Sequence, residues 1–295
     1  MVQKILTALD GSMTSESILP YLETFLAARD ADVTLIRVIS TGTPDLIHEA
    51  NSYLNKVALG LKAKGAVVDV HVLVGKPAAT IVDMAMRGGF SLILMCSRGK
   101  TGLKRLLLGS VAEETLRLSP IPVLVVAPLT KPYGKLSIKR IVVPLDGSHR
   151  SGSILPHLEP LAKATGAKLL FMTIVQPHAK DDLPVEVLSR NLFREQKRLH
   201  KLGIQTELSI RYGDPVAEIL SFGDVQNADL VALSTHGRTG LERARYGSVA
   251  ESVLREGKFP LLILRTAGKF VSDPMRVPAI RARRRSRQPK AVGSA

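Results

Sequence analysis

The chain repeats itself. Thr101 to Arg117, "TGLKRLLLGSVAEETLR", matches Thr239 to Arg255, "TGLERARYGSVAESVLR", at 11 of 17 positions, 138 residues apart. A repeat of that period in a chain of 295 residues restricts the architecture to two copies of one domain, each long enough to bury its own core. The flanks keep step with it. "KILTALD" ending at Asp10 is answered by "RIVVPLD" ending at Asp146, "DVTLIRVI" by "KLLFMTIV", "VVDVHVLVG" by "TELSIRYG", "SLILMCS" by "DLVALST" and "IPVLVVA" by "FPLLILR".

These paired segments are short, nearly unbroken apolar runs, the pattern of strands buried on both faces. Helical stretches separate them, and "KPAATIVDMAMR" and "DPVAEILSFG" carry proline in the first turn, where its missing N–H costs nothing. Strand alternating with helix five times over predicts α/β architecture: two tandem domains, each an open sheet of five parallel strands with right-handed crossovers and helices on both faces. The expected division is residues 1–128, a linker at 129–138 with Pro and Gly, a second domain at 139–267, and a basic, disordered tail at 268–295. With 45% apolar residues, 4% aromatics and no Trp, the cores are built from Val, Ile, Leu and Ala. Cys96 is the single cysteine, which excludes an internal disulfide or a cysteine-rich metal cage; it reads as core filler or as an oxidant sensor. No apolar run approaches the ~18 residues of a membrane span, and "MVQKILTALDGS" lacks a signal peptide's apolar core, so the expected location is the cytoplasm.

The formal net charge of +15 is unevenly distributed. Gly268 to Ala295 holds eight Lys or Arg against Asp273, a net of +7. Such a tail suits nucleic acid, acidic lipid or an acidic partner, and equally a solvated end with no partner.

The repeated loop follows the fourth strand of each copy, on the carboxyl edge where parallel sheets bind ligands. It spaces Gly99 nine residues from Gly109-Ser110, and Gly237 nine from Gly247-Ser248. Glycines let backbone amides converge on a phosphate. Ser110 with Glu113, and Ser248 with Glu251, predict S-x-x-E capping boxes at helix N-termini, which attract anions; the same features also serve as ordinary helix punctuation. "GKT" at Gly99 to Thr101 is not a P-loop, because that motif needs glycine where Leu94 stands. Asp10 and Asp146, closing the first strand of each copy, read either as acceptors for a sugar or cation or as helix N-caps. Arg98, Lys100 and Arg105 offer charge beside the loop. His236 is the one histidine inside either proposed site, and no nucleophile stands with a base, so catalysis is not expected.

The ordered set "ALDGS", "VTLIRVI", "GKPAATIV", "SRGKTGLKRLLLGSVAE" and "PVLVV" resembles the universal stress proteins, in tandem two-domain form, over Val2 to Thr266. The resemblance implies Rossmann-like nucleotide-binding domains in a stress-response regulator that binds ATP, or AMP or ADP, with Mg2+, through a G-x2-G-x9-G-[S/T] loop, an acid after the first strand and an apolar residue on the second. It allows at most slow ATP hydrolysis or autophosphorylation. Residue by residue it marks Asp10 and Asp146; Val38 and Ile174 beside adenine; Gly99 and Gly237; and Gly109, Ser110, Gly247 and Ser248, with Met95, Val111, Leu233 and Val249 flanking. The pattern's first glycine is Cys96 in one copy and Ser234 in the other, and two residues before the acid stand Ala8 and Pro144. The resemblance further implies pairing through the last strand, here made inside one chain, and leaves homodimer formation open. The alternative is a nucleotide-free dimerisation scaffold whose basic tail binds nucleic acid or an acidic partner.

Overall fold

A computed structural model describes residues 3–26, 31–97, 108–128, 136–176, 185–235, 247–257 and 259–265. The first half runs β1 (Gln3–Ala8), a 3-10 turn at Ser15–Ile18, α1 (Leu19–Leu26), β2 (Ala31–Ile39), α2 (Pro44–Lys62), β3 (Val67–Val74), α3 (Pro77–Arg87), β4 (Leu92–Cys96), α4 (Ser110–Leu118) and β5 (Val123–Val126). The second half repeats it as β6 (Arg140–Pro144), α5 (His149–Gly152), α6 (Leu155–Thr165), β7 (Lys168–Val175), α7 (Val185–Lys201), β8 (Thr206–Tyr212), α8 (Pro215–Val225), β9 (Leu230–Ser234), α9 (Ser248–Glu256) and β10 (Leu261–Leu264). Pro77 and Pro215 open α3 and α8 in their first turns, as their fixed φ favours.

Each half has the expected five parallel strands, but they do not form two separate sheets. The ten strands make one sheet in the order β3-β2-β1-β4-β5-β10-β9-β6-β7-β8. The join is the antiparallel pair β5–β10, with Leu261 opposite Val125, Leu262 opposite Leu124 and Ile263 opposite Val123. Every residue of both strands is buried, so leaving either edge open would expose apolar surface and unpaired backbone groups. The merger satisfies both demands at once.

Period-two alternation sends side chains to two cores, each spanning both halves. Ile5, Leu35, Leu94, Leu124, Ile141, Phe171 and Leu262 lie in one; Leu6, Ile36, Met95, Val125, Val142, Leu170 and Ile263 lie in the other. Within each half the strand order reverses between the first and fourth strands: β1 beside β4, and β6 beside β9. Crossovers leave those switch points in opposite directions, opening a crevice at the carboxyl edge. Because β5 and β10 run antiparallel, the two crevices lie at opposite edges of the sheet.

The seam makes a testable demand. Leu124→Ala removes a fully buried side chain and is expected to lower stability by about 2–5 kcal/mol in urea unfolding. Hydrogen exchange should report lost protection in β9 of the other half as well as in β4. Loss confined to the first half would show that the halves unfold independently.

Candidate functional site

At the first switch point the chain leaves β1 through Leu9, whose N–H donates to the Ile36 carbonyl at 2.9 Å, and turns sharply at Gly11, φ +86°. Asp10 is held across that turn. Its Oδ1 accepts from the Ser12 N–H at 2.9 Å and from the Ser12 hydroxyl at 2.6 Å. Ser12 Oγ in turn accepts from the Ser15 N–H at 3.1 Å, and Ser15 Oγ donates to the Ser12 carbonyl at 2.8 Å. The second half repeats the web: the Ser148 N–H donates to Asp146 Oδ1 at 2.9 Å, and the Ser151 N–H to Ser148 Oγ at 3.1 Å, with Gly147 at φ +75°. A serine stands two residues after the aspartate in both halves: Ser148 is the side-chain N-cap of α5, whereas the 3-10 turn starts from Thr14 without a side-chain cap and Ser12 closes a local turn onto Ser15. Each aspartate braces that serine and keeps its carboxyl at the crevice, so the reading of Asp10 and Asp146 as helix N-caps is set aside.

A cleft of about 210 Å³ opens beside Asp10. Ile36, Val38, Pro77, Ile81 and Met95 give it an apolar wall, and Ala8, Leu9 and Cys96 extend its floor. Across from Asp10 stand Ser97, Gly109, Ser110, Val111 and Ala112, the approach to α4 and its first turn. The first N–H groups of a helix have no intrahelical acceptor, and the helix dipole adds positive character there. Among the described residues no group of three or more His, Cys, Asp or Glu is arranged to hold a metal ion.

The capping boxes do not form. Gly109 is the N-cap of α4, extended at φ −67°, ψ 146°, and Gly247 is that of α9; neither receives a side-chain cap. The Gly109 N–H donates to the Ser97 carbonyl at 2.7 Å, which holds the glycine extended, and the helix starts one residue earlier than a Ser110 cap would set it. Ser110 and Ser248 therefore sit inside the first turn with helical backbone, whereas a capping-box serine must be the extended residue before it. Glycine is also needed sterically. A Cβ on Gly247 would lie 1.9 Å from the Thr235 carbonyl oxygen.

The structure thus brings Asp10, Val38, Met95, Cys96, Gly109, Ser110 and Val111 to one cleft. Ile174, Leu233 and Val249 share the corresponding face of the second half, where Asp146 and Ser234 sit at the exits of β6 and β9 and Gly247 and Ser248 at the start of α9. Gly99, Gly237, Arg98, Lys100, Arg105 and His236 lie outside the described residues, as do most of the linker and the whole tail. Sequence reading missed Ile36, Pro77, Ile81, Ser97 and Ala112. Ile36 stands two residues before Val38, and Ile81 four after Pro77, so strand and helix periodicity marked both.

Two departures make the halves unequal. The β1–β4 ladder continues to Ala8 opposite Met95, but β6–β9 stops after Ile141 opposite Leu230 and Val142 opposite Val231. Pro144 replaces Ala8 there and has no N–H to donate. Beneath the Asp10 turn lies Arg37, 6% exposed, on the face of β2 opposite Val38. Its Nη2 meets Glu49 Oε1 at 3.0 Å and its guanidinium lies 5.6 Å from the Tyr53 ring centre. It packs so close to Gly11 that a Cβ there would be 2.9 Å from Cζ. Burial first, and then the charge of Glu16, push the Tyr53 hydroxyl above its ordinary pKa, so it stays protonated beneath the turn. In the second half Thr173 takes this place and donates to the Leu145 carbonyl at 2.8 Å.

With the geometry in view, comparison with known proteins is direct. The sequence model of the universal stress protein family matches residues 1–127 and again 137–265. The chain belongs to the universal stress protein family. Universal stress protein MJ0531 of Methanocaldococcus jannaschii is 32% identical over 148 residues, 46% of this chain and 87% of its own length. Universal stress protein Mb2028c of Mycobacterium bovis is 25% identical over 291 residues, 88% of this chain and 96% of its own. The crystal structure of a universal stress protein from Archaeoglobus fulgidus superposes with a TM-score of 0.70 at 24% identity, over 90% of this chain and 99% of that one. That likeness supports the fold.

Two glycine substitutions separate close approach from ordinary helix. Gly247→Ala forces a methyl group into the Thr235 carbonyl and is expected to cost more than about 1 kcal/mol. Gly60→Ala, in α2 with nothing within 4 Å of the new methyl, is expected to gain up to about 1 kcal/mol. Chemical denaturation of both variants checks the pair, and equal effects would contradict the packing described.

Proposed function

We propose that each half of this universal stress protein binds one adenine nucleotide, ATP or its mono- or diphosphate, and that the chain acts as a nucleotide-responsive regulator rather than as a catalyst. The observation that carries the reading is the composition of the first cleft. An apolar wall, a braced carboxylate and a helix N-terminus face one another across a space at the topological switch point. Ile36, Val38, Ile81 and Met95 suit the faces of a base. Asp10, with Oδ1 already engaged by Ser12, suits acceptance from ribose hydroxyls. The amides of Ser110, Val111 and Ala112 suit phosphate oxygens. The chemistry of these donors fits the nucleotide, including the cysteine: Cys96, where the family pattern has its first glycine, lies in the cleft floor with 6% exposure and presents a small side chain. Mg2+ would be held chiefly by the phosphates, with one carboxylate at most from the described cleft.

Isothermal titration with ATP, ADP and AMP, with and without Mg2+, tests this. Two sites per chain are expected, Asp10→Asn removing or weakening one and Asp146→Asn the other, roughly tenfold or more for loss of a charged hydrogen bond. GTP should bind more weakly, since the wall selects by shape. No heat from any adenine nucleotide, together with no nucleotide released on denaturing the purified protein, would overturn the reading in favour of a paired scaffold.

A further inference from the structure

We propose that the outer face of α7 is a docking surface for single-stranded nucleic acid. The helix packs on the sheet through Leu192 and Leu199, 3% and 0% exposed, and turns an unbroken basic row to solvent. Arg190, Arg194, Lys197 and Lys201, spaced by four, three and four residues, are all exposed and stack along one side of the helix. None of the four makes an ion pair with any residue whose side chain is described. Glu186 stands four residues before Arg190 at the start of the helix, and Glu195, beside the row, is committed to Arg198 at 2.8 Å, whose other arm reaches Glu159 at 2.6 Å. Like charges at these spacings repel, so the row is unfavourable for the isolated chain and becomes favourable when an anion neutralises it. Its length, about 16 Å at 1.5 Å per residue, matches a run of several backbone phosphates.

The duplication supplies an internal control. At the offset of 138 residues that relates Gly109 to Gly247, Leu192 and Leu199 fall on Leu54 and Leu61, which are buried in the same way. The row falls on Ser52, Lys56 and Leu59 of α2 and on Ala63, its C-cap, with one charge in four. The packing positions are shared between halves and the basic row is not, so packing does not require it. Phe193 distinguishes the class of polyanion. It is 55% exposed beside the row, with Lys197 Nζ 4.8 Å from its ring centre, where its counterpart is Asn55. An exposed ring flanked by cations offers a stacking platform to an unpaired base. A membrane is disfavoured, because the apolar face that an interfacial helix would insert is already spent on the core.

The test uses the full chain and a fluorescently labelled oligouridylate of about 20 nucleotides, titrated across salt. Wild-type protein is expected to bind with a steep salt dependence. Changing all four residues to Gln should lower the slope of log affinity against log salt by about 0.7 per charge, up to about 2.8, with thermal unfolding measured alongside. Should that variant fail to fold, Arg190→Gln and Lys201→Gln, at the ends of the row, should each lower the slope by about 0.7. Phe193→Ala should weaken binding about fivefold or more, whereas Lys56→Gln in α2 should change nothing. Three results overturn the proposal: no binding at low salt, a slope unchanged by the α7 substitutions (which would assign the contact to the basic residues after Arg265), or row-dependent binding that favours phosphatidylserine vesicles over the oligonucleotide. Since no adenine nucleotide enters this assay, its outcome is independent of the reading of the Asp10 cleft.

Discussion

Pairing between β5 and β10 is the constraint on which the remaining architecture rests. Each strand has only four residues, too few to hold two domains together by backbone hydrogen bonds alone. What makes the pair effective is that both strands are apolar on both faces, so closing the seam completes two cores at once, one above the sheet and one below. Each Å² of apolar surface sealed at the seam contributes about 25 cal/mol, and all residues of both strands are buried. Duplication also makes the join intramolecular, so it carries no concentration dependence.

Much of this organisation was legible in the sequence. A parallel sheet covered on both faces needs strands that are apolar throughout, and such strands stand out from the intervening amphipathic helices. The duplication then allowed each weak signal to be read twice. Apolar last strands pointed to edges able to join, but the direction of the pairing, and hence a single ten-stranded sheet, depended on three-dimensional complementarity. The site was legible to the same depth. Asp10 and Gly109 stood out at strand and helix ends, while Ser110 was misread as a cap because the pull of the Ser97 carbonyl on Gly109 comes from a residue twelve positions earlier.

Arg37 illustrates the limit most clearly. In "DVTLIRVI" it interrupts an apolar run, and alternation assigns it to the face away from the cleft. Only the fold reveals that α2 delivers Glu49 and Tyr53 to that face, and that the guanidinium lies against Gly11. A buried arginine is tolerated when its charge is paired and its donors occupied, and here the pairing partner reaches solvent. Thr173 solves the same local problem with one neutral hydrogen bond. The two halves thus share a fold while supporting their aspartate turns by different chemistry, a charged strut in one and a hydroxyl in the other.

The antiparallel seam has a geometric consequence for any signal the chain carries. Its two crevices open away from each other, each set back from the join by two strands, β4 and β5 on one side and β9 and β10 on the other. One small molecule cannot bridge them, and a partner resting on one rim of the sheet meets one mouth and the closed end of the other half. Occupancy at one end is felt at the other only as a change in twist or stiffness passed through β4, β5, β10 and β9, a plate of four strands with no loop between its faces. The molecule thus presents two switch points facing opposite ways, joined through strands buried on both faces.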